Sequence, residues 1–166
     1  MMASISKLQQ GEELALPWDL TQWVKTERLL QCIAAEVETL DWGNPRLIAI
    51  QRDYPEFRPK MLLTLLTYAY ATGVYGSQEI ADGCYENETL RSISGGDPPS
   101  AQAIMAFRRE NRSFLRWSLS QMFKRALRVR FDLGDSLLPP GLKRYLEDVA
   151  VTRIDMARHI DRGNAG

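Results

Sequence analysis

From Asp19 onward, Leu29, Leu30, Ile33, Ala34, Val37 and Leu40 recur at intervals of three and four, the spacing of one helix face. Asp19 and Gln22 stand where a capping box would open that helix, and Trp42-Gly43 where it would close. A short helix is expected over residues 44–52, after which Tyr54-Pro55 and Arg58-Pro59 punctuate the chain. The run that follows, Met61, Leu62, Leu63, Leu65, Leu66, Tyr68, Ala69 and Tyr70, leaves almost no polar face. It predicts a helix enclosed by other helices, stopped at Gly73.

Ser77 is placed to cap a short helix whose apolar positions are Ile80, Ala81, Cys84 and Tyr85. Asn87 is placed to cap another, with Leu90 and Ile93 inward and Gly95-Gly96 as its stop. Pro98-Pro99-Ser100 opens the longest pattern, Ile104, Phe107, Leu115, Leu119, Met122 and Ala126, predicted as one helix reaching Arg130. A loop through Asp135 and Pro139-Pro140 leads to a last helix carrying Leu142, Tyr145, Leu146, Val149, Met156 and Ile160. Period-two alternation is lacking, and the β-leaning stretch 129–133 is short and flanked by charge. The expected fold is all-α: a bundle of about six helices, with one long basic helix and a C-terminal helix. Residues 1–18 read as a partly flexible lead-in, 19–130 as the helical domain, and 131–166 as a loop and helix packed on it or used for partner contact.

Composition adds little: 45% apolar and 25% charged residues are ordinary for a globular protein. The apolar run after Met61 is broken by Thr64 and Thr67 and is too short to cross a bilayer. Residues 1–16 carry Glu12 and Glu13 and lack the order of a secretory signal, so a cytoplasmic protein without membrane contact is expected. Cys32 and Cys84 have no Cys or His neighbour at ligand spacing, which predicts free thiols and no metal or other cofactor.

Charge changes the picture more. The formal net charge is zero, yet residues 1–90 hold 7 basic and 13 acidic side chains, residues 91–130 hold 9 and 2, and residues 131–166 hold 5 and 6. In the basic segment Arg109, Arg112, Arg116, Lys124 and Arg128 follow at steps that share one helix face, with Arg108 and Arg125 flanking. Such a stripe releases counterions from phosphates, giving sequence-tolerant, salt-sensitive affinity for DNA.

Residues 59–111 also carry a family likeness. Pro59-Lys60-Met61-Leu62-Leu63, Leu65-Leu66-Thr67-Tyr68-Ala69-Tyr70-Ala71-Thr72-Gly73-Val74, then Ser77, Ile80, Ala81, Arg91, Gly95, Gly96, Pro99, Ile104 and Phe107-Arg108 stand in order. This resembles the N-terminal domain of bacterial DDE insertion-sequence transposases, of the InsH type; Gly76 and Gln78 depart from it, where many members have Ser and Arg. The resemblance implies a helical module that recognises transposon ends, ahead of a catalytic domain in which three carboxylates hold two metal ions. Asp132 and Asp135 sit in a loop without a sheet to converge them, so no catalytic residue and no catalytic domain are read here.

Residues 77–96 have the length of a helix-turn-helix, with Ala81 at the close approach and Thr89 and Arg91 on the groove-facing helix. Two helices merely packed together give the same pattern. The expected partner is double-stranded DNA at transposon ends, joined by a catalytic transposase subunit or a second copy. The competing expectation is a regulatory module that pairs with a separate transposase through its last helix, residues 142–160. Lone His159 has no sequence partner that would make it a general base.

Overall fold

Among the described residues, 16–45 and 58–165 of a computed structural model, every regular element is helical. A 3-10 turn, Leu20–Gln22, precedes α1 (Thr26–Glu38), α2 (Pro59–Ala71), α3 (Ser77–Glu86), α4 (Glu88–Ser94), α5 (Ala101–Glu110), α6 (Arg112–Arg130) and α7 (Pro140–Ala165). The helix expected over residues 44–52 falls almost wholly outside the described residues.

The capping residues act largely where the chain places them, with three corrections. Asp19 caps only the 3-10 turn, accepting from Thr21 N at 2.9 Å, and α1 starts seven residues later at Thr26. Asn87 caps α4 by accepting from Thr89 N and Leu90 N, and Gly95 closes it in the left-handed region at φ 63°. Ser100 caps α5 through Ala103 N. Ser77, by contrast, is the first helical residue of α3 rather than its cap.

The third correction is the long helix, which breaks in two at Asn111 (φ −127°, ψ 31°). That side chain is buried and donates from Nδ2 to Phe107 O at 3.1 Å, while its backbone N bonds the same carbonyl at 2.9 Å. An Asn that bonds the backbone four residues earlier competes with helix continuation, so α5 ends and α6 sets off anew.

Leu62, Leu63, Leu65, Leu66, Ala69 and Tyr70 of α2 are all fully buried, as an all-round apolar helix requires. α2 lies against α1, α4 and α6, and its interruption at Thr67 is absorbed by a 3.0 Å hydrogen bond to Ser118 of α6. α6 is the hub: Leu115, Leu119, Met122, Phe123, Ala126 and Leu127 pack on α1, α2 and α7. α7 supplies Leu142, Leu146, Ala150, Ile154 and Ala157 to the same core, so its apolar face is already occupied.

One buried cation ties α7 to the rest. Arg153 is 1% exposed and has no ion-pair partner among the described residues. Its Nη1 donates to Tyr70 O at 2.8 Å, Trp18 O at 3.1 Å and Ala71 O at 3.3 Å, and its Nη2 to Pro17 O at 2.8 Å. Tyr70 and Ala71 close α2, whose last carbonyls have no helical acceptor role left to fill, so the guanidinium satisfies them and meets the negative helix end. Burial pulls its pKa below the usual arginine value, and the rings of Phe123 and Trp18, 4.7 Å and 5.4 Å away, partly replace the lost water.

Candidate nucleic-acid interface

The cationic stripe of the sequence does not stand free. Arg108, expected as a flanking DNA contact, is 8% exposed and buried as an ion-paired cation, its Nη1 donating to Asp161 Oδ2 at 2.5 Å and to Ser77 Oγ at 3.2 Å. Burial opposes its charge, but Tyr70 and Asp161 beside it hold the pKa above its ordinary value. Arg125 meets Glu36 of α1 at 2.5 Å, Lys124 meets Glu147 of α7 at 3.3 Å, and Arg128 Nε donates to Ser136 O at 3.2 Å. Arg116 alone of the α6 row is exposed without a partner among the described residues.

The pair α3 and α4 is joined by the single residue Asn87. Their close approach is at Gly83 rather than Ala81: a Cβ there would lie 2.5 Å from Leu90 Cδ1. Arg91 is exposed but donates from Nη2 to Tyr85 O at 2.9 Å, near the end of α3, and Thr89 is half-buried. Around them Glu79, Asp82, Glu86 and Glu88 are exposed, a row of carboxylates that repels phosphate. The groove-facing role expected of Arg91 and Thr89 therefore sits on the acidic side of the molecule.

A different set of cations does converge. Met105, Arg108 and Arg109 of α5, Arg112 of α6, and Arg158, Asp161 and Arg162 of α7 line one cleft of about 530 Å³. Arg109 and Arg112 stand on either side of the break at Asn111, and both line the cleft together with the last turns of α7. Asp161 is the one carboxylate in the lining, and it is 8% exposed and committed three times over: to Ser77 N at 2.8 Å, Ser77 Oγ at 2.6 Å and Arg108. Arg109 and Arg112 make rim ion pairs with Glu110 at 3.4 Å and Asp155 at 2.7 Å, exposed contacts worth little in water. Arg158 and Arg162 are exposed and have no partner among the described residues.

A model of the family described as Transposase domain (DUF772) matches residues 19–110, more than half of the chain. The chain belongs to that transposase-domain family. No curated protein and no solved structure matches it. The matched span of the transposase domain holds α1 to α5, so the cleft combines α5 from inside the span with α6 and α7 from beyond it.

Arg109 and Arg112 are legible as cations in a basic segment, but Arg158 and Arg162 are masked in sequence because α7 interleaves five basic side chains with four acidic ones. Their i, i+4 spacing on one face was the available signal. Among the described residues no group of three or more His, Cys, Asp or Glu could hold a metal, and no helix is long and apolar enough to cross a membrane.

Proposed function

We propose that this transposase-domain chain binds DNA at transposon ends, holding the sugar-phosphate backbone in the α5–α6–α7 cleft, and that it binds without cutting. The carrying observation is four exposed arginines, Arg109, Arg112, Arg158 and Arg162, around one cleft whose only carboxylate is already engaged by Ser77 and the buried Arg108. Guanidinium forks suit phosphate oxygens better than ammonium groups, and every strongly cationic position in the lining is an arginine. The acidic surface of α3 and α4 argues against that pair as the reader of the major groove.

The test is a mobility-shift titration on duplex DNA from the flanks of the gene. Arg158→Glu with Arg162→Glu is expected to abolish the shift while circular dichroism and melting stay unchanged, whereas Arg91→Glu leaves it intact. Retained binding by the cleft pair refutes the cleft. Magnesium-dependent nicking of supercoiled DNA by the purified chain refutes binding without cutting.

A further inference from the structure

Next to the arginine cleft lies a second groove of about 630 Å³, and the two share Met105 and Arg109 in their linings. Much of its lining is apolar, with Met61 and Leu62 from α2, Pro98 and Pro99 from the loop before α5, and Met105 and Ala106 from α5, while Ser100 and Gln102 add uncharged polar groups. Its charged groups are Arg58, Asp97 and Arg109. Arg109 stands at the cleft side; at the other, Asp97 faces Arg58, which is fixed by donating from Nη2 to Ser94 O and Asp97 O, each at 2.7 Å.

A paired duplex has little use for such a groove, because its bases are stacked inside and its outer surface is phosphate and sugar. An unpaired nucleotide offers both chemistries at once, a phosphate and a flat, weakly hydrated ring. The charge layout favours phosphate at the Arg109 side, because Arg58 is already engaged by Ser94 O, Asp97 O and the Asp97 carboxylate. Thioethers such as those of Met61 and Met105 make favourable contacts with aromatic rings, and proline rings give a flat apolar wall. Resting on the reading of the cleft as a phosphate site, we infer that the groove takes an unpaired base of the same DNA. The chain thus prefers duplex ends or junctions that carry a single-stranded extension.

Three probes test this by fluorescence anisotropy: a blunt duplex, the duplex with a short single-stranded extension, and the duplex with an abasic extension of equal phosphate count. The expected result is binding about fivefold tighter for the extension that carries bases than for the abasic one. Ala106→Leu, which fills the groove, and Met61→Ser, on a different helix, should each erase that preference and leave affinity for the blunt duplex unchanged. Equal affinity for the base-bearing and abasic extensions overturns the inference while the cleft stands. Failure of the wild-type chain to bind any of the three probes overturns the cleft as well. A preference that survives both groove variants also overturns the inference.

Discussion

Ser77 opens α3 against a carboxylate 84 residues away: Asp161 Oδ1 accepts from its backbone N at 2.8 Å and Oδ2 from its hydroxyl at 2.6 Å. Gly76, the residue before the helix, has no side chain to cap with. A charge at the positive end of a helix is favourable, and Asp161 supplies it from α7 while also neutralising Arg108.

Breaking that triad on one side should be severe. Asp161→Asn keeps an acceptor near Ser77 but leaves the Arg108 charge buried and unpaired, for an expected loss of about 3–5 kcal/mol in urea denaturation. Removing both charges, with Asp161→Leu and Arg108→Met, should lose less than the sum of the single changes. Simple additivity would mean that the two residues do not act as a pair.

Arg153 should not tolerate lysine. Its two terminal nitrogens hold carbonyls of α2 on one and Pro17 on the other, a span that a single ammonium cannot cover. Arg153→Lys should cost about 2–3 kcal/mol by thermal or chemical unfolding, since buried carbonyls lose their donors. Trp18→Ala, at a ring 60% exposed, should cost less. A lysine variant as stable as the parent would contradict the role of the fork.

Alkaline pH should weaken the fold through Tyr70. Burial lifts its hydroxyl from 10.0 to about 12, against the pull of the Arg108 guanidinium. Above its unfolded pKa the unfolded chain loses this proton first, so stability is full below pH 10.0 and is lost as pH rises toward about 12. The loss attributable to this group reaches about 2–3 kcal/mol. Tyr70→Phe should flatten the decline in denaturation series at rising pH; an unchanged slope would remove Tyr70 as its source.

Under the proposed cleft reading, four arginines, Arg109, Arg112, Arg158 and Arg162, should set the salt dependence of DNA binding. The logarithm of affinity against the logarithm of salt should fall with a slope of about −3 to −4. Arg158→Ala should reduce the slope by about one, while Arg125→Ala, which breaks a pair with Glu36, should leave it unchanged. Equal effects at the two positions would restore the stripe and dismiss the cleft.

Helix existence was readable because apolar spacing and caps are local. Asn87, Gly95 and Ser100 act where their neighbours in sequence put them, and the unbroken apolar run of α2 lies enclosed. The pairing of the cationic row is illegible in sequence for a matching reason. A helical wheel sorts residues around one axis but says nothing of which neighbours arrive at each face, and Glu36, Glu147 and Asp161 all come from other helices. Arg158 and Arg162 stayed hidden because a cleft shared by three helices has no signature in any one of them. The interruption at Asn111 was missed since the apolar rhythm on either side continues in phase closely enough to read as one rod.

Because Asp161 finishes α3 and Arg153 finishes α2, two early helices wait on side chains that leave the ribosome much later. A nascent chain that has emerged only as far as α6 holds Arg108 without its counter-ion and Phe123 without its cover from α7. Complete pairing of Arg108 and complete cover of Phe123 therefore wait on the end of α7.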